Sequence, residues 1–294
     1  MKIGCVGLQS RGSVLVRRLM SQHRVHVFDD REQAMREFEA AGAVVAKDLA
    51  SLARSCDVVV ICAIEGKEAR DVVFGPNGLR EGLSPGKVIV DMTTALPAQT
   101  RIIAADLLKL GVHLIDAPVH SESWDDLERV GAILCGGQLS SVDAVRPILE
   151  AVCRKIVYVG ESGSGHAAKL LTSAVAACNR LITYECAAVG FKQGLSIEDM
   201  ATVLNNASGR NTASETVLPA LNTGIRTADL QLDEAVDDLR GASQMAMSCG
   251  APILIANLVR SHYEAAANEF GETATLDDMR RLYESVAATR LADA

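Results

Sequence analysis

The sequence predicts an α/β fold: an N-terminal doubly wound sheet followed by an all-helical domain, joined by a long helix. Three observations carry this. Strand-like and helix-like segments alternate over the first 160 residues, which implies parallel strands joined by right-handed crossovers. After Gly165 the apolar residues recur only at helical spacing. The composition is 49% hydrophobic but 3% aromatic, which suits a core of Val, Leu, Ile and Ala in strands buried on both faces.

In order, Lys2-Ile-Gly-Cys-Val-Gly7 reads as a short apolar strand, Gly7 to Gly12 as a tight turn and Ser13 to Ser21 as an amphipathic helix. Val25-His-Val-Phe28 is a second strand ending at Asp29-Asp30. A helix from Glu32 to Ala41, the short strand Val44-Val45 and a helix leading to Cys56 come next. Asp57-Val-Val-Val-Ile-Cys62 has the unbroken apolar character of a central parallel strand. A helix over Lys67 to Val73 and the turn Gly75-Pro-Asn-Gly78 lead to the strand Lys87 to Asp91, and Ala98 to Leu110 is helical. His113 to Asp116, Ala132 to Cys135 and Ile156 to Val159 complete the strands. The stretch His166 to Gln193 contains no proline and predicts a helix of 25 or more residues. Helices then follow over Ile197–Asn205, Ala213–Leu221, Leu230–Ser248, Pro252–Ala267 and Leu276–Ala287. Domains are expected at 1–162 and 163–294.

The net charge of −8 and the lack of clustered Lys and Arg argue against nucleic-acid binding. No apolar run is long enough to span a membrane. The eight cysteines lack C-x-x-C spacing and the six histidines lack metal-ligand spacing, so reduced core thiols, no metal and a cytoplasmic location are expected.

The first turn carries the chemistry. In G-x-G-x-x-G the glycines make the turn, admit the pyrophosphate and let the helix pack on the strand. Here the first and third positions are Gly7 and Gly12, and the middle one is Gln9. With a strand before, a helix after and an acidic pair about twenty residues on, this predicts a Rossmann-type unit. Gly7, Gln9, Ser10, Arg11 and Gly12 are the expected pyrophosphate contacts. Asp29 and Asp30 suit ribose hydroxyls and would repel a 2′-phosphate, so NAD is expected over NADP, with Arg31 as a countervailing charge. A second glycine pair, Gly163 and Gly165, opens the long helix, and Lys169 follows in its first turns with no acidic neighbour four residues away.

These segments together resemble the β-hydroxyacid dehydrogenases, the group typified by 3-hydroxyisobutyrate dehydrogenase. The shared stretches are Gly4-Cys-Val-Gly-Leu8, Asp57-Val-Val-Val60, Val73-Phe-Gly-Pro-Asn-Gly78 and Asp91-Met-Thr-Thr-Ala-Leu-Pro97. Further on come Asp116-Ala-Pro-Val119, Gly136-Gly137, Gly163-Ser-Gly-His-Ala-Ala-Lys169, Ala207-Ser-Gly-Arg210, Asp238-Leu239 and Gly250-Ala-Pro252. The resemblance implies reversible NAD- or NADP-dependent oxidation of a small hydroxyacid-like alcohol by hydride transfer, in a homodimer or homotetramer. It also implies Lys169 as general acid/base, Thr94 as a cofactor contact and Ala63-Ile64 beside the nicotinamide ribose.

The departures from the family are specific. Gln9 replaces the middle glycine and Arg11 a methionine; the side chain at position 9 is expected to hinder the pyrophosphate, with Arg11 compensating. His120-Ser121-Glu122 stands where Ser-Gly-Gly would hold the substrate carboxylate. Thr172-Ser173 replaces an asparagine pair, and Asp237 replaces a lysine. Asp237 in place of a lysine changes the local charge by two units and Glu122 adds a further negative group, a repulsion worth a few kcal/mol in a partly buried pocket. A less anionic, larger or amine-bearing substrate is expected, with His120 and Ser173 supplying contacts. The alternatives are a catalytically impaired nucleotide-binding homologue acting as a binding or interaction protein, or a relative that reduces imines.

Overall fold

The computed structural model describes residues 1–62, 68–123, 127 and 131–291, which form two compact units, Met1–Lys169 and Leu170–Ala294. The divide falls inside a single long helix, a few residues beyond the boundary expected from sequence.

The first unit is built on strands β1 (Ile3–Val6), β2 (Val25–Phe28), β3 (Val44–Val45), β4 (Val58–Ile61), β5 (Val88–Asp91), β6 (His113–Asp116), β7 (Val119–His120), β8 (Ala132–Gly136) and β9 (Ile156–Gly160). The spatial order is β3-β2-β1-β4-β5-β6-β8-β7, with β9 also paired to β8. β1 to β6 are mutually parallel. Their order reverses between β1 and β4, so the crevice beyond the carboxyl ends of these two strands is the expected ligand position.

Each central strand feeds two cores, because alternate side chains point to opposite faces. Cys5, Val58, Val60, Val90 and Ile115 join Leu15, Val16 and Leu19 of α1 (Ser10–Met20) and Val142, Val145 and Ile148 of α6 (Leu139–Glu150) on one face. Val6, Val59, Ile61, Ile89 and Leu114 pack against the other helices: α3 (Leu49–Ser55), α4 (Ala69–Phe74) and α5 (Pro97–Leu108). Helix α2 (Glu32–Ala40) buries Phe38 in the first core. α3 starts at a capping box between Asp48 and Ser51.

Three features differ from the sequence reading. β7 was not expected: Val119–His120 pairs antiparallel with Ala132–Ile133, so the chain reverses direction just beyond Asp116. β8 is accordingly antiparallel to β6, and the sheet is not purely parallel. Helix α6 was also unassigned, since Pro147 lies inside it and weakens its helical signature. α1 begins at Ser10 rather than Ser13, which places Gly12 within its first turn.

Helix α7 (Ser164–Lys192) runs for 29 residues across the divide. The second unit adds α8 (Ile197–Asn205), a π-helical turn over Ala213–Val217 continuing into α9 (Leu218–Leu221), then α10 (Leu232–Cys249), α11 (Leu254–Phe270) and α12 (Met279–Val286). Asp277 anchors the chain before α10: it pairs with the buried Arg180 of α7 at 3.2 Å and accepts from the amides of Thr227 and Ala228. Among the described residues no helix is long and apolar enough to cross a membrane.

Candidate functional site

The turn after β1 is shaped by its two glycines. Gly7 has φ +90°, a conformation that side chains rarely tolerate. A Cβ at Gly12 would lie 2.5 Å from the Gly7 carbonyl oxygen and 3.0 Å from Cβ of Cys62, so only glycine lets α1 sit this close to the strands. Position 9 needs no glycine for its backbone. Gln9 is extended, with φ −110° and ψ 159°, and its amide Nε2 reaches Asp29 Oδ1 at 3.3 Å. The departure from the glycine pattern is therefore a side chain drawn toward the end of β2.

Asp29 is buried at that end and organises the turn. Its Oδ2 accepts from the Leu8 amide at 2.8 Å, and its Oδ1 accepts from the Arg31 amide at 2.9 Å. The Arg31 guanidinium lies 3.7 Å from the same carboxylate. Asp30 and Arg31 are exposed. Helix α1 itself begins without a side-chain cap from Gln9 and without an acidic residue in its first turn. An uncapped helix N-terminus at the reversal point of a parallel sheet, behind a glycine turn, fits the pyrophosphate of a dinucleotide. Arg11, half-buried in that first turn, adds a cation. The side chain of Ser10, and all of Ala63 and Ile64, lie outside the described residues.

At the ends of β4 and β5, Cys62 and Asp91 are buried. Desolvation pushes the Cys62 thiol up to about 12, and the nearby Asp91 adds to the shift, so Cys62 stays protonated at neutral pH. Asp91 accepts from both the amide and the hydroxyl of Thr93, at 3.0 and 2.7 Å. Its second oxygen is buried with no hydrogen-bond partner. Thr94 is exposed just beyond this turn.

At the end of β6, Asp116 is fully buried and closes the start of α7. Oδ1 accepts from the Gly163 amide at 2.7 Å and Oδ2 from the His166 amide at 3.0 Å. A carboxylate here also complements the positive end of the helix. Gly165 makes this possible, because a Cβ there would meet the Leu134 carbonyl oxygen at 2.3 Å and Asp116 Oδ2 at 2.9 Å. Asp116 thus serves as a structural clamp. Lys169 follows one turn later and is only 3% exposed.

The expected substrate residues of the first unit lie on and after β7. His120 and Glu122 are half-buried, and Ser121 is buried with its hydroxyl donated to the Ser123 carbonyl at 2.6 Å. In the second unit, Ser173 donates to the buried Asp238 at 2.7 Å. Asp237 is exposed and paired with Arg240 at 3.2 Å, and Arg240 also reaches Glu264 at 3.0 Å. The charge introduced at position 237 therefore has a local partner that sequence reasoning missed. The signal available was Arg240 three residues on, at helical ion-pair spacing. Sequence reasoning also missed His166, a buried residue whose hydrogen-bond partners lie 50 to 73 positions away. Among the described residues no cluster of His, Cys, Asp and Glu could hold a metal.

Comparison with known proteins gives one consistent relationship. Residues 2–160 match the NAD binding domain of 6-phosphogluconate dehydrogenase, and residues 163–283 match the corresponding C-terminal family, described as NAD-binding of NADP-dependent 3-hydroxyisobutyrate dehydrogenase. The 3-sulfolactaldehyde reductase of Escherichia coli is 27% identical over 90% of this chain and 89% of its own. The mitochondrial 3-hydroxyisobutyrate dehydrogenase of mouse is 26% identical over 89% and 80%. The solved Mycobacterium tuberculosis 3-hydroxyisobutyrate dehydrogenase with L-serine shares the fold, with a TM-score of 0.85 at 22% identity over 96% of this chain and 98% of that one.

Proposed function

The chain belongs to the β-hydroxyacid dehydrogenase family, and from that premise we propose that it is an NAD(P)-dependent oxidoreductase interconverting a hydroxyacid-like alcohol and its carbonyl. The observation that carries the reading is Lys169, buried in the first turns of a helix whose start is clamped by Asp116. The nicotinamide supplies the hydride acceptor or donor when bound. In oxidation, Lys169 Nζ would take the hydroxyl proton, and in reduction it would return that proton to the carbonyl oxygen. The open start of α1, with Gly7, Gly12, Gln9 and Arg11, would hold the pyrophosphate, and Thr94 would contact the cofactor.

NAD is the preferred cofactor. Asp29 and Asp30 end β2, and a 2′-phosphate brought there would face their charge, with the Arg31 guanidinium beside Asp29 as a countervailing cation. A ligand that binds only the folded state raises its melting temperature. Thermal unfolding with millimolar NAD should therefore show a clear upward shift, and NADP a smaller one. A shift with NADP alone reverses the preference. No shift with either overturns the dehydrogenase reading in favour of an interaction protein.

The substrate is a less anionic, larger or amine-bearing relative of the simple 3-hydroxyacids. His120, Ser121 and Glu122 are the substrate contacts proposed in the first unit and Ser173 in the second, where position 237 lacks the cation that a carboxylate would need. Because Asp237 is already paired with Arg240, D237K should raise kcat/KM for 3-hydroxyisobutyrate only about three- to tenfold. Unchanged or poorer turnover counts against this substrate reading.

The protein also assembles with itself. Within the second unit Leu171, Val175, Ile182 and Val189 of α7 are exposed, and at 100° per residue they share one helix face. A contiguous exposed apolar stripe marks a protein interface. Val175→Glu with Ile182→Glu should convert a dimer or tetramer to monomer in light scattering; an unchanged mass excludes this face.

A further inference from the structure

His166 lies one turn before Lys169, is fully buried, and touches three separate elements of the first unit. Its amide donates to Asp116 at the end of β6. Its ring Nε2 lies 3.0 Å from the Thr93 carbonyl oxygen, in the turn beyond β5, and Nδ1 lies 2.8 Å from the Thr100 hydroxyl of α5. A carbonyl oxygen can only accept, so Nε2 carries the proton and donates to Thr93. Nδ1 pairs with the Thr100 hydroxyl, which also lies 3.2 Å from the Leu96 carbonyl oxygen. Thr93 is in turn held by Asp91 through its amide and hydroxyl. The chain of contacts runs from Asp91 through Thr93 to the His166 ring and on to the helix turn bearing Lys169.

We propose that His166 is a positioning residue that fixes the Thr93–Thr94 turn relative to the start of α7, and so sets the nicotinamide end of the cofactor site in register with Lys169. The proposal rests on the dehydrogenase reading above, in which Thr94 contacts the cofactor and Lys169 moves the proton. A simple core histidine would be satisfied by any two partners. This ring instead joins the two segments that the reaction requires to keep a fixed separation. Among the described residues no hydrogen bond of His166 reaches the α1 turn, so the adenine and pyrophosphate end should be insensitive to it.

That asymmetry is testable without a substrate. The dissociation constants of NADH and of ADP-ribose, which lacks nicotinamide, are measured on the full chain for wild type, His166→Leu, His166→Gln and Thr100→Val. If the wild type prefers NADPH, that cofactor and 2′-phospho-ADP-ribose replace them. Leucine removes both ring hydrogen bonds, and NADH binding should weaken about tenfold while ADP-ribose binding stays within about twofold. Glutamine can donate to Thr93 and pair with Thr100, and should restore most of the loss. If the leucine variant does not fold, Thr100→Val removes one hydroxyl at nearly constant volume and should weaken NADH alone, about threefold. Equal effects on both ligands, or no effect on either, overturn the proposal. Failure of the wild type to bind any of the four ligands overturns the dehydrogenase reading, and this inference with it.

Discussion

Helices α1 and α7 both start after glycines at the carboxyl end of the sheet, yet their N-termini are treated in opposite ways. At α1 the preceding Gln9 turns aside to Asp29 and provides no cap, and the first turn carries no acid. At α7 the buried carboxylate of Asp116 accepts from two amides. Both arrangements satisfy the same physics, since an N-terminus presents unpaired amides and a partial positive charge. An open start is available to an external anion, whereas a closed one is a fixed part of the frame. Glycine spacing alone does not distinguish them. The location of the nearest carboxylate does.

The comparison is open to test, and the largest effect is expected at the closed start. If that clamp exists to hold an acid–base group, Lys169→Met should lower turnover about 10²- to 10⁴-fold while cofactor-induced thermal shifts persist. A loss under tenfold would leave the closed start without a catalytic purpose. Asp116→Asn places an amide donor against one of two backbone donors and should cost about 2–3 kcal/mol in denaturant unfolding. A stability near wild type would mean that Asp116 is no clamp.

Closing the open start is the complementary experiment. Arg11→Asp puts an acid in the first turn of α1, which favours the helix but competes with a bound anion. Cofactor affinity should fall about tenfold with no loss of thermal stability in the free protein. A drop in stability with affinity preserved would reverse the roles assigned to the two helices. The smallest effect belongs to Gln9→Gly. The Gln9 side chain is held to Asp29 rather than over the helix start, so removing it should change cofactor affinity only about two- to threefold. A gain of a hundredfold would show that the side chain obstructs the site after all.

Much of this was legible in the sequence. The unbroken run Val58–Ile61 identified a strand buried on both faces, and the proline-free stretch after Gly165 identified α7. Gly12 was assigned to close helix–strand packing, and its contact with Gly7 bears this out. Other features escaped for identifiable reasons. α6 contains a proline, which local propensity reads as a break, although burial of Val142, Val145 and Ile148 outweighs it. β7 is two residues long and exists only because β8 offers an edge to pair with. Asp237 read as an uncompensated charge because its ion pair with Arg240 depends on rotamers that sequence does not specify.

The sequence by itself determined the alternation of strands and helices, the glycine-led turns, the lysine in the first turns of a long helix, and the family to which these belong. Those are local patterns of period and spacing, carried by neighbouring residues. Only the tertiary structure decided that Asp116 is a clamp, that Asp29 holds the first turn together, and that His166 joins the Thr93 turn to α7. Each of these depends on a polar side chain losing water and finding a partner 21 to 73 positions away. Which partner it finds is fixed by how the strands align in space, since a buried polar group is stable only when the fold brings one within hydrogen-bond reach.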